Sequence, residues 1–242
     1  AEKNFLAATH IGKENDATSL DMMVKSIAFM KECNAIRATE NLDPLRITSV
    51  AMAWAQADAN WTANHYMTTD NFEHARVSGY GENIAAGFGT TANVSGGWDK
   101  DRQDPFYGWY TDEKKNFEEQ NGGDTGHYKN IIADYTVTGY AINGTYINSS
   151  YTMYTHSQTF HGDKDDPTYK TDGALTVEEY EKILNEYIAS IDKDKLEAAM
   201  NDAKATLDAK NAELESKNNA LDDANTKLAA AGEALTNAKD AQ

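Results

Sequence analysis

The chain has 242 residues, 40% of them apolar and 10% aromatic, enough for one packed core. With 22 basic against 39 acidic residues it carries a formal charge of −17, and the resulting long-range repulsion excludes free nucleic acid as a partner. No apolar run approaches the width of a bilayer, which excludes membrane insertion, and the single Cys33 excludes an intrachain disulfide.

Residues 1–19 read as an N-terminal extension without a charged-then-apolar leader. Leu20, Met23, Val24, Ile27 and Met30 then recur at helical spacing, with Thr18 placed to cap them. A second amphipathic helix follows Asp43-Pro44 and carries Val50, Ala53, Trp54, Ala57 and Trp61. A third starts at Asp104-Pro105, where Asp caps and Pro suits the first helical position, and its apolar face is Phe106, Trp109, Tyr110 and Phe117. Glu113 shares that face. A carboxylate there must be paired, because burying it alone is costly. Residues 135–142 and 151–160 alternate like strands rich in Tyr, Thr, Val and Ile, and Asn143-Gly144 between them predicts a hairpin turn. Helices followed by a hairpin place residues 20–162 in the α+β class.

Beyond Phe160 the polar stretch 163–175 reads as a linker. Thr176 and Glu179 form a capping box that starts a helix with Val177, Tyr180, Ile183, Leu184, Tyr187, Ile188 and Ile191 on one face. Residues 176–242 read as a helical, coiled-coil-like tail, one nearly continuous helix to the region of Ala231 with a break near Asp192 to Asp194. Met200, Leu207, Leu214, Leu221, Leu228 and Leu235 repeat every seven residues. With these at d, the a positions include Asn211, Asn218 and Asn225, a pattern that favours a specific but weak homodimer; the alternative register sets Ala203, Lys210, Lys217, Ala224, Ala231 and Ala238 beside the Leu row, and neither fills the seam well. A long solvated helix with a single Leu ridge satisfies the same pattern equally well.

Four polar residues stand out: His74, Glu82, Glu113 and His127. Two imidazoles and two carboxylates brought together would satisfy one another, and their nitrogens and oxygens suit zinc or another divalent metal. The competing reading makes Glu82 and His127 hydrogen-bonding ties between strands and loops. His65 competes with His74 for the first place in the set. His156 and His161 read as surface or strand-end residues, and the Trp and Tyr residues around Trp109 as core. The sequons at Asn60, Asn93, Asn143 and Asn148 are of the number chance gives in an Asn- and Thr-rich chain.

The runs Glu73-His74, Gly81-Glu82-Asn83-Ile84-Ala85-Ala86-Gly87, Gly108-Trp109-Tyr110 with Glu113, and Thr125-Gly126-His127-Tyr128-Lys129-Asn130-Ile131-Ile132 occur in order at consistent spacing. Together with Asn34, Arg37 and Pro44-Leu45 they resemble the CAP superfamily of cysteine-rich secretory, venom-allergen and pathogenesis-related proteins. The resemblance spans roughly residues 20–162 and lacks the paired cysteines of animal and plant members, which makes it similar to the disulfide-poor bacterial branch. It implies an α-β-α sandwich with a central antiparallel sheet, and a cavity tetrad of His74, Glu82, Glu113 and His127, with His74 and His127 as metal ligands. It also implies a secreted or surface-displayed location and an extracellular protein, lipid or glycan as ligand, with no organic cofactor.

A binding module with the tail as stalk or dimeriser is therefore the leading expectation. The alternative is a hydrolase of extracellular peptide or glycan, using metal-activated water or Glu82 and Glu113 as an acid pair, with His127 assisting. No Gly-x-Ser-x-Gly motif is present, and Cys33 lies beside no evident base. A purely mechanical or adhesive role for the tail is a third class.

Overall fold

The computed structural model describes residues 4–76, 81–89, 104–148, 151–162 and 173–240. The chain divides into two compact units, Ala1–Glu186 and Tyr187–Gln242. The sequon at Asn93 and most of the expected linker, residues 163–172, lie outside the described residues.

The first unit is built on a four-stranded sheet in the order β1-β3-β4-β2. These strands are β1 (Arg46–Ile47), β2 (Gly81–Gly89), β3 (Val137–Asn148) and β4 (Tyr151–His161). The pairs β3–β4 and β4–β2 are antiparallel, while the two-residue β1 runs parallel to β3 at one edge. Around the sheet lie α1 (Phe5–Ala8), α2 (Leu20–Thr39), α3 (Ser49–Thr69), a π-helical segment (Tyr107–Asp112) continuing into α4 (Glu113–Glu119), and α5 (Gly126–Ile132).

Strand alternation assigns the layers. On one face Gly139, Asn143, Ser157 and Thr159 meet α3. Thr159 Oγ1 donates to Ala51 O at 3.3 Å, Ser157 Oγ to Asp58 Oδ2 at 2.6 Å, and Asn143 Nδ2 to Asn60 Oδ1 at 2.7 Å. On the other face Tyr140 stacks on Phe29 of α2 at 5.2 Å and meets Phe106 and Trp109 beyond it. This is the expected α-β-α sandwich. Gly139 is required by the first layer: a Cβ there would lie 2.0 Å from Ala51 O.

Several local expectations change. Ser19, not Thr18, caps α2 by accepting from Met22 N, because Thr18 is committed to Asp16. The turn expected at Asn143-Gly144 is absent. Both residues pair within the ladder, opposite Thr155 and Tyr154, and the small Gly144 admits Met22 and Asn15 against the strand. His156 and His161 are buried, 3% and 0% exposed, because helices cover both faces of β4. The helix from Pro105 passes through the π-helical segment, and Phe117 of its expected apolar face is half exposed against the Tyr128 ring.

Arg37, 2% exposed, ties this layer together. Its guanidinium donates to the carbonyls of Asp43, Ile131, Ala133 and Tyr135. Asn34 exchanges two hydrogen bonds with the Leu45 backbone.

Leu175 bridges to Ile47, and Ala174 packs with Ala51 and Val137, so the residues just before Thr176 join the first unit's core. The capping box forms as expected, with Thr176 N donating to Glu179 Oε2 at 2.8 Å and Glu179 N to Thr176 Oγ1 at 3.2 Å. It starts α6 (Val177–Ser190), and Asp192 then caps α7 (Lys193–Asp240), 48 residues long. No helix among the described residues is long and apolar enough to cross a membrane.

Candidate functional site

The edge strand β2 is where the two helical layers meet. Glu82 stands opposite Thr159 in the ladder and Asn83 opposite Gln158, so consecutive residues of β2 point into different layers. Glu82 reaches His74, in the segment after α3: His74 Nδ1 lies 2.9 Å from Glu82 Oε1. The second oxygen of Glu82 accepts from Arg76 N at 2.6 Å. Asn83 anchors the other layer. Its Nδ2 donates to His127 O at 3.3 Å, and its Oδ1 accepts from Asn130 Nδ2 at 2.8 Å.

In that other layer Glu113, the first residue of α4, meets His127 near the start of α5. His127 Nδ1 lies 2.5 Å from Glu113 Oε1, and Glu113 Oε2 accepts from Tyr128 N at 3.0 Å. Burial raises the Glu113 carboxyl's pKa, but the hydrogen bonds from His127 and the Tyr128 amide outweigh it and hold the group below its ordinary value. The expectation that Glu113 is buried and paired therefore holds, at 6% exposure.

The two dyads face each other, with the rings of His74 and His127 6.3 Å apart and 26° from parallel. Exposure is graded across the site: the Glu82 and Glu113 side chains are 5% and 8% exposed, those of His74 and His127 37% and 28%. The carboxylates are the buried backing and the imidazoles are the accessible face. Among the described residues no three or more His, Cys, Asp or Glu side chains form a ready metal cluster; the tetrad comes as two pairs.

Of the competing imidazoles, His65 stacks on Trp61 at 4.5 Å. His156 packs beside Tyr140 and Phe29, its Nδ1 2.9 Å from the Tyr140 hydroxyl, and burial pushes its pKa down to about 3. Cys33 is fully buried, and burial pushes its thiol up to about 11, far from a nucleophilic thiolate at neutral pH. Residues that sequence reasoning gave no site role also shape the cleft. Trp109 packs on His127 at 5.8 Å and donates from Nε1 to Ile84 O at 3.2 Å, fixing the π-helical segment to β2. Asn83 and Asn130 were visible only as members of the motifs, since a side-chain amide gives no periodic signal.

An α-β-α sandwich with paired His and Glu at an edge strand defines the class of protein. CAP, the cysteine-rich secretory protein family, matches residues 30–156, more than half of the chain, and the chain belongs to that family. It is an extracellular-type binding domain in its general character. A search of the curated proteins gave no match.

Proposed function

We propose that the chain is a secreted or surface-displayed binding protein of the disulfide-poor bacterial kind, whose cleft holds a divalent metal, zinc by preference, on His74 and His127. The observation that carries this reading is the double dyad: each Nδ1 is engaged by a carboxylate whose second oxygen is held by a backbone amide. Carboxylate behind imidazole is the arrangement that orients a zinc-binding His and raises its basicity, leaving ligation to Nε2. Bound zinc would supply a Lewis-acidic point for an anionic or carbonyl group of an extracellular protein, lipid or glycan ligand. The graded exposure supports this, since the imidazoles are the members a ligand can reach.

The arrangement favours binding over hydrolysis. Both carboxylates are withdrawn from solvent behind the imidazoles, so the groups a ligand meets first are His74 and His127, not Glu82 or Glu113.

Calorimetric titration with zinc tests the reading. One site is expected, weakening at acid pH as protons compete for imidazole nitrogen. Glu113→Gln should weaken it roughly 10- to 100-fold by altering the support behind His127. Undiminished binding in a His74→Ala, His127→Ala double variant would overturn the assignment.

A further inference from the structure

In α7 a row of apolar side chains lies in water. Met200, Leu207, Leu214, Leu221, Leu228 and Leu235 keep 63%, 59%, 58%, 58%, 72% and 58% of their surface exposed. Their seven-residue spacing gives them one heptad position. The alternative of placing them at a would put Lys210 and Lys217 at d, burying two lysines in the seam, so the row is assigned to d. The a positions are then Lys204, Asn211, Asn218, Asn225 and Gly232. Charge at g is confined to Lys210 and Lys217, and e carries Asp208, Glu215 and Asp222.

We propose that α7 pairs with α7 of a second copy of this chain as a parallel, in-register, two-stranded coiled coil. In a parallel pair each g residue lies beside the e residue five positions further along the other helix. Lys210 then meets Glu215 of the second copy and Lys217 meets Asp222, and the symmetry of the dimer repeats both pairs. In an antiparallel pair g faces g and e faces e, so lysines would oppose lysines and carboxylates would oppose carboxylates. The charge pattern selects one orientation.

The seam selects the register. Asn at a can donate to and accept from the same Asn of a second parallel chain, the use of a buried polar residue that fixes register and two-strandedness at a cost in stability. Three in succession, Asn211, Asn218 and Asn225, match fully only in register; a one-heptad slip sets Asn225 against Gly232 and Lys204 against Asn211.

The rearrangement on pairing is small. In the single chain Lys210 and Lys217 both reach Glu213, at 2.9 and 2.8 Å, and exposed helix pairs of this kind contribute little. Exchanging them for contacts to the second copy therefore costs little, while the Leu row leaves water. The polar seam makes the dimer reversible.

The test uses the full chain. Sedimentation equilibrium up to several hundred micromolar should show a monomer–dimer equilibrium. Lys210→Glu with Lys217→Glu should weaken self-association roughly tenfold or more, by turning four attractive contacts repulsive. Mixing that variant with Glu215→Lys, Asp222→Lys should restore pairing. Because the only native cysteine, Cys33, is buried, Lys204→Cys gives a clean orientation probe: mild oxidation should link it to itself, and Ala209→Cys, on the outer face, should not link. A monomer throughout the concentration range would overturn the proposal, as would a trimer or tetramer. So would a Lys204→Cys chain that links to a Leu235→Cys chain, its a-to-d partner in an antiparallel pair, rather than to itself.

Discussion

The division of labour within each His–Glu pair follows from burial. Glu82 and Glu113 are withdrawn from solvent, and each is held at both oxygens, which fixes the two carboxylates in place behind the imidazoles. His156 is the contrasting case, an imidazole in the core that serves packing. Its folded pKa of about 3 lies below the ordinary 6.5, so below pH ~6.5 the unfolded chain takes up a proton that the folded chain refuses. Its contribution is intact above that pH and is lost progressively as pH falls toward 3, by up to about 1.4 kcal/mol per pH unit. Urea unfolding of wild type and His156→Phe between pH 7 and 4 should show a shallower loss in the variant. Parallel curves would mean that His156 is already protonated in the fold or out of the core.

Among the elements, α3 sets the geometry of the sheet through one close approach. The first turn of α3 lies so near β3 that any side chain at 139 would collide with the Ala51 carbonyl. Gly139→Ala should therefore lower stability by about 2 to 3 kcal/mol, read as a fall in the urea midpoint, because the obstacle is backbone and the helix itself must shift. An unchanged midpoint would mean that α3 stands away from the sheet.

Periodicity located α2, α3, β4 and the first part of β3, but neither β1 nor β2, and it misplaced the helix faces: Val24 and Ala53 are exposed, whereas Met22, Phe29 and Cys33 of α2 and Ala51, Met52, Ala55 and Ala59 of α3 are buried. It did not reveal that β4 is buried on both faces, since Thr155, Ser157 and Thr159 read as an outward polar side although α3 covers them. Asn143-Gly144 carries the dipeptide of a hairpin turn, but both residues pair with β4, and the glycine there serves the close approach of Met22 and Asn15. Of the tetrad only Glu113 carries a spacing signal, through the helical face it shares with Phe106 and Trp109. Glu82 and His127 come from elements whose meeting depends on β2 being the edge strand, so only the family motifs picked them out before the fold did.

Across the whole molecule, the family domain and the helical second unit present two different kinds of surface. The first gathers its accessible chemistry at one sheet edge, with imidazoles outward and carboxylates behind them. The second, through α7, carries a periodic ridge suited to self-association, and every described side chain of α7 is exposed. The acidic balance, −17 in all, sets up a long-range field that repels anions and attracts cations.

The central claim is that the two dyads act together as one metal-organising site. A crystal structure of the protein with zinc, with diffraction recorded on both sides of the zinc absorption edge, tests it most directly. The account predicts one anomalous peak about 2.0–2.1 Å from Nε2 of both His74 and His127. A peak held by only one of the two imidazoles, or no peak in the cleft at all, would contradict it.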